Sequence, residues 1–276
     1  MITPYSNIIS VTTLEALLLD TYSGAAAAYS LRRLRTAYTG DAIRVRRASD
    51  NTEQDIGFVS NELDTSALTT FCSGTNGFVK TWYDQSGHAR DATQTTAANQ
   101  PKIVSSGSLL LMNSKPTVFF DGINDSFLLS TTIPAQNTYS LFSVGFVNNT
   151  ATGNDMIIAG NTGSYGFRFD GSATNPKITI TKVGIADVVS AFITGGKQTL
   201  ATFLTNDTTS SVFTDSILRA TSGINSPSTV IDRIGAASPS GQPYLGNMQE
   251  IVFYTSNQST NRTGIETNIN DFYSIY

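Results

Sequence analysis

The 276-residue sequence predicts an all-β protein, an antiparallel β-sandwich or jelly roll with an N-terminal helix and a closing C-terminal helix. Three observations predict it. Short runs rich in β-branched and aromatic residues recur with period-two alternation from residue 42 to residue 255. Clusters of Gly, Asn, Asp and Ser punctuate them, as hairpin turns require. No long helical pattern separates the strands, so the sheets are antiparallel and packed face to face.

The elements follow in chain order. Residues 1–22 read as an arm or anchor ahead of a single sandwich domain over 23–276. The arm carries Leu14, Leu17, Leu18 and Leu19, and such a cluster needs a cover. It packs on its own domain as an edge strand or short helix, or it contacts a neighbouring subunit, which implies a homo-oligomer such as a trimer. Residues 23–38, "SGAAAAYSLRRLRTAY", read as a helix. The Ala run has the highest intrinsic propensity, and Ala27, Leu31, Leu34 and Tyr38 share one face. Ser23 caps this helix and Gly40 follows it. Strands are expected at 42–47, 77–84, 116–122, 138–147, 155–160, 165–170, 176–181, 198–205, 210–216, 230–236 and 247–255. A helix from Ser259 to Tyr273 closes the domain, with Ile265, Ile269 and Phe272 at helical spacing.

Composition excludes several classes. Hydrophobic residues make up 39% of the chain, enough for a core, but charged residues only 14%, so Thr, Ser, Asn and Gly must supply the polar surface. A net charge of -4 argues against nucleic-acid binding. No apolar run reaches the roughly 18 residues of a membrane span. The first twenty residues lack the basic and apolar regions of a secretory signal. Cys72 is the single cysteine, so no internal disulfide is possible. A surface of extracellular type without export signal or disulfide suggests a protein folded in a reducing compartment and released by lysis, such as a phage structural protein.

The densest cluster of chemistry-bearing residues is "TWYDQSGHARDATQ" (81–94), which holds Trp82, Asp84, His88 and Asp91. His88 has no second His or Cys nearby and reads as a surface residue. Asp84, Gln85 and Ser86 are turn formers, and Gly87 supplies backbone freedom. Trp82 fits a core position better than a sugar platform, and Cys72 a buried small hydrophobe. Arg44, Arg46, Asp50 and Asp55 are expected to form a structural polar network beside the first strand. Asp121, Asn124 and Asp125 offer hard oxygen ligands in a turn, a possible calcium site and the one cofactor suggested. Tyr165, Arg168, Asp170 and Tyr244 are the candidate glycan contacts.

Several segments carry a resemblance. "FFDGINDSFLL" (119–129) and "LGNMQEIVFYTSNQSTNRTGIETNINDFY" (245–273) resemble concanavalin A-like, laminin-G-like lectin and glucanase domains. "AYSLRRLRTAYTGDAIRVRRASDNTEQDIGF" with "FCSGTNGFVKTWYDQSGHARDATQ" resembles more specifically the catalytic domain of arabinofuranosidase B-type enzymes, themselves concanavalin A-like sandwiches. The resemblance implies a Glu nucleophile in the middle of the domain and an Asp acid after an Ile-Gly-Gly. Here the Glu residues are only at 15, 53, 62, 250 and 266, and Ala237 in "RIGAAS" stands at the acid's place. Glu250 matches a family Glu outside the catalytic pair. Of a family Cys pair, Cys72 remains and Gly77 takes the second place.

With both family carboxyls absent, the expected catalytic set is none. The expected function is a non-enzymatic lectin-like module on a virion surface (spike, fibre, tail or capsid decoration) that binds host glycans or other virion proteins. The alternative is a divergent, extracellular glycoside hydrolase acting on arabinofuranosyl-containing glycans, with its carboxyls relocated among Asp155, Asp170, Asp187 and Asp232.

Overall fold

A computed structural model describes residues 16–276 except 148–152, 161–164, 172–173, 183–184, 224–228 and 238–240. The architecture is the expected antiparallel β-sandwich. In the first sheet, strand Leu245–Tyr254 is central. Strand Tyr139–Val147 pairs along one edge, followed outward by Lys197–Thr205, Ser210–Thr214 and Ile217–Ser222. Along its other edge lie Ala27–Ser30 and Val118–Asp121, end to end. The second sheet runs from Glu53–Ile56 through Ile43–Arg47, Gly77–Trp82, Ala92–Thr93, Phe127–Gln136, Thr229–Ile234, Gly153–Ala159, Tyr165–Gly171 and Lys177–Lys182 to Ile185–Phe192.

The core between the sheets is aromatic. Trp82, Phe120, Phe127 and Tyr244 meet in edge-to-face contacts at one end, and Tyr139, Phe167, Phe203 and Phe253 at the other. Such packing adds to the area term that drives sandwich formation. The first sheet is covered on its other face too. Helix Arg262–Tyr273 turns Ile265, Ile269 and Tyr273 onto Phe142, Val144, Leu200, Val252 and Tyr254, and Leu18 and Leu19 complete this second cluster. The described part of the N-terminal arm, including helix Leu18–Thr21, therefore packs on its own domain. Leu14 lies outside the described residues.

The N-terminal helix over 23–38 is not formed. Ala27–Ser30 is a fully buried strand paired with Phe253–Glu250. Because the first sheet is covered on both faces, this strand needs small side chains, and the Ala run supplies them. Tertiary context overrides propensity. Side chains from the 81–94 segment hold the stretch extended. Asp84 Oδ1 accepts the Ala28 N–H at 2.8 Å. Gln85 Oε1 accepts the Leu34 N–H at 2.8 Å, and Gln85 Nε2 donates to the Ser30 and Arg32 carbonyls.

The closing helix starts at Arg262, three residues after the expected Ser259. A buried ion pair anchors it to this strand. Arg32 grips both carboxylate oxygens of Glu250 at 2.8 and 3.0 Å. Ser30 and Tyr273 donate hydroxyl hydrogen bonds to the same carboxylate. The fixed fork of Arg suits this bidentate geometry.

The polar network near the first sequence-predicted strand differs in its partners. Asp50 pairs with Arg47 at 2.6 Å, not with Arg44 or Arg46. Arg44 pairs with Glu53 at 3.1 Å and Asp55 at 3.9 Å while remaining 41% exposed. Arg46 is held by amide oxygens of Gln100, Asn51 and Ala97 and lies over Phe78. The group lies at the surface, so its ion pairs stabilise by about 0–1 kcal/mol each, less than burial of the arginines would give.

Candidate active site

The second sheet turns one face to the core and the other outward, and the outward face carries the site. Strand alternation places Phe167, Phe169, Ile178 and Ile180 inward, all fully buried. Their neighbours Arg168, Asp170 and Thr179 therefore project outward. Arg168 lies opposite Met156 and Thr179, and Thr179 opposite Ser190, so the four form a row across the strands. Asp170 lies on the same face in the next row, opposite Lys177. Arg168 Nε lies 2.5 Å from Asp170 Oδ1. Thr179 donates its hydroxyl to Asp170 Oδ2 at 2.7 Å, and the Thr179 and Ser190 hydroxyls are 3.0 Å apart. The carboxylate is thus fixed on both oxygens by groups on rigid strands, while its side chain keeps 19% exposure.

Further along the same face, Arg233 lies opposite Ala159 and Leu128. Ala237 folds back onto Met156 and Ala159 in a small apolar cluster beside the row. Asp232 is buried, with Oδ1 3.7 Å from Arg233 Nε. Burial pushes the Asp232 carboxyl up, against the opposing pull of Arg233. A groove of about 450 Å³ runs from Arg233 past Leu128 and Ser130 to Thr93, Gln94 and Asn99.

Asp155 does not belong to this face. Its register partner is Phe169, so its side chain turns to the core, where Oδ1 accepts the Leu245 N–H at 3.0 Å. Burial first, then nearby Asp170, raises its carboxyl to about 7.

Of the sequence-predicted glycan contacts, Arg168 and Asp170 come together. Tyr244 does not join them. It is fully buried against Phe120, with its hydroxyl bonded to the Phe146 and Asn247 carbonyls. It is a core residue, a correction to its expected role. The side chains of Tyr165 and Asp187 lie outside the described residues. Thr179, Ser190, Arg233 and Asp232 complete the face. Thr179 had a signal in "PKITITK", where it alternates with buried Ile178 and Ile180.

The 81–94 segment is scaffold up to Ala92, and only its end, Thr93 and Gln94, reaches the groove. Trp82 is fully buried. Asp84 Oδ1 also accepts the Ser86 N–H, while Oδ2 takes the Ser86 hydroxyl and the Arg90 N–H. In the Asp121 turn the two aspartates are likewise engaged by local backbone. Asp121 Oδ1 accepts the Ile123 and Asn124 N–H groups at 2.8 and 3.2 Å, and Asp125 Oδ2 accepts the Asp121 N–H at 3.0 Å. Among the described residues no group of three or more His, Cys, Asp or Glu is placed to hold a metal ion. No helix among them is long and apolar enough to cross a membrane.

A β-sandwich with a carboxylate-bearing polar face is the architecture of a class of carbohydrate-active proteins. Comparison makes the assignment narrower: residues 20–165, just over half of the chain, match the family described as alpha-L-arabinofuranosidase B, catalytic, and the chain belongs to that family. The alpha-L-arabinofuranosidase of Hypocrea jecorina is 29% identical over 132 residues, which cover 46% of this chain and 24% of that protein. The Penicillium canescens alpha-L-arabinofuranosidase B is 30% identical over 142 residues, 47% of this chain and 27% of that one. The chain thus spans about a quarter of the length of these relatives. In three dimensions it is similar to an arabinofuranosidase complexed with arabinofuranosyl-alpha-1,2-xylobiose, with a TM-score of 0.72 at 16% identity. That match covers 91% of this chain and 64% of the other. A GH54 α-L-arabinofuranosidase soaked with a cyclic sulfate inhibitor gives 0.74, with the same coverage and identity. These matches overturn the expectation of a non-enzymatic virion module. The family is one of glycoside hydrolases and the relatives are fungal enzymes, so neither the virion setting nor the absence of catalysis stands.

Proposed function

We propose that the protein is a glycoside hydrolase that acts on arabinofuranosyl-containing glycans, with its active site on the outward face of the second sheet. The family match over residues 20–165 carries this reading. Glycoside cleavage uses two carboxyl groups, one to protonate the leaving oxygen and one to act as nucleophile or to activate water. Ala237 occupies the place that the resemblance assigns to the acid, and the chain has no Glu between residues 62 and 250. An aspartate displaced from the family positions therefore takes one of these roles.

Asp170 is the carboxylate that meets the sugar. Arg168 and Thr179 hold it, with the guanidinium Nε 2.5 Å from Oδ1. Asp232 lies two strands across and about five residues along from Asp170 by register, roughly 19 Å, so it does not act as the second carboxyl beside it. Asp155 serves the fold, since its side chain faces inward. Polymeric arabinofuranosyl substrates do not cross membranes, which places the reaction outside the cell.

The test is incubation with arabinoxylan or arabinan and chromatographic detection of free arabinose. The wild-type protein should release it, and Asp170→Asn should lose at least about 100-fold in rate. No release by the wild type refutes the function. Full release by Asp170→Asn refutes the assignment of the carboxylate.

A further inference from the structure

The outward face ends in an aromatic side chain that nothing in the fold requires. Phe192 closes the edge strand Ile185–Phe192 and is 64% exposed, whereas the other Phe residues of the described strands are buried or half-buried. Its register partner is Lys177, whose own partner on the next strand is Asp170. Opposed residues in antiparallel strands project to the same side, so Phe192, Lys177 and Asp170 share one row of the outward face. Two strand spacings of about 4.8 Å put Phe192 about 10 Å from Asp170 across the sheet. That is about the span of two sugar rings. Lys177 Nζ lies 5.1 Å from the Phe192 ring centroid and steadies the ring by a cation–π contact.

We propose that Phe192 is a stacking platform for a neutral sugar ring of the glycan chain that carries the cleaved unit, with Lys177 donating hydrogen bonds to that ring's hydroxyls. A flat, exposed aromatic ring offers an apolar surface to the C–H face of a sugar at low entropic cost. A cation beside it satisfies the hydroxyls at the sugar's edge. The sheet edge also leaves the ring open on its far side, so a chain can run on past it. The platform thus favours arabinofuranosyl units borne on a longer chain over isolated ones. It deepens the proposed hydrolase function and rests on that reading for the position of the cleaved unit.

Two substrates separate the platform from the catalytic centre. One is an aryl α-L-arabinofuranoside, which has no sugar beyond the scissile bond. The other is a xylo-oligosaccharide bearing an arabinofuranosyl branch. In Phe192→Ala, the ratio of kcat/KM on the oligosaccharide to kcat/KM on the aryl glycoside should fall about tenfold, through KM, and Phe192→Trp should restore it. An unchanged ratio overturns the platform. If the wild-type protein hydrolyses neither substrate, the hydrolase reading fails by itself. Retardation by arabinoxylan in native gel electrophoresis then decides the platform: it stands if the wild type is retarded and Phe192→Ala is not, and falls if both migrate alike.

Discussion

Replacing Gly77 by Cys should create a disulfide with Cys72, a pairing that the fold leaves half built. A Cβ placed on Gly77 lies 2.7 Å from Cys72 Sγ, close to the Cβ-to-distal-sulfur distance of about 3.0 Å implied by disulfide geometry. Gly77 opens strand Gly77–Trp82 and does not use a positive φ, so a cysteine backbone fits there. The loop closed is short. The chain-entropy relation for a loop of about six residues gives about 2 kcal/mol. Against this, the new Cβ meets Val104 Cβ and Val45 Cγ1 at 3.2 Å, tight contacts that offset part of the gain. A net stabilisation of about 1 kcal/mol is expected, or an increase in Tm of about 2–4 °C for a domain of this size. Cys72 is fully buried and burial pushes its thiol up, so the bond forms best by oxidation during refolding. Thiol titration in denaturant should find no free thiol in the oxidised variant and two after reduction, and the gain in Tm should vanish with reductant. Two free thiols after oxidative refolding, or an oxidised form less stable than the reduced one, would refute the reasoning.

Other perturbations have equally definite outcomes. Asp155, held at about 7 by burial, remains protonated in the folded state between pH 4 and 7 while the unfolded chain loses that proton; stability therefore falls across this window, by up to about 4 kcal/mol, and levels off above pH 7. Asp155→Asn should flatten that slope and exceed the wild type at pH 7.5 in urea unfolding, and an equal slope in both proteins would contradict the assignment. Glu250→Ala strands the buried Arg32 guanidinium and should cost about 3–5 kcal/mol, whereas Arg44→Ala at the surface should cost less than about 1 kcal/mol; similar losses in chemical denaturation would refute the distinction. Gln85→Ala removes three hydrogen bonds that hold the 30–34 segment extended and should cost about 2–3 kcal/mol with faster amide exchange at Leu34; unchanged exchange there would sink that explanation.

Much of the sandwich is legible in the sequence because alternation is a local property. "PKITITK" and "YGFRFD" announce both a strand and its two faces, and the same alternation sets Arg168 and Asp170 apart from the core phenylalanines. The Ala25–Ala28 run defeats local reading. Its helical propensity is real, but its partners lie at Phe253 and Val252 and in the Asp84 side chain, far along the chain. Strand Phe127–Gln136 is obscured by register shifts between Leu128 and Ile133 and between Ile133 and Gln136, which break the period of two. Tyr244 and Asp155 show the corresponding limit for the site. An aromatic and a carboxylate look alike in sequence whether they face a ligand or the core, and only the fold shows that both face inward. Cys72 and Gly77 illustrate the reverse case, a relation visible through family resemblance that the fold then places in contact.

Hydrolysis of a chromogenic aryl α-L-arabinofuranoside by wild type and Asp170→Asn, with circular dichroism to confirm equal folding, tests the central claim most directly. The account predicts turnover by the wild type and a loss of at least about 100-fold in kcat for a folded Asp170→Asn. A folded wild-type protein without turnover, or an Asp170→Asn variant as fast as the wild type, would contradict it.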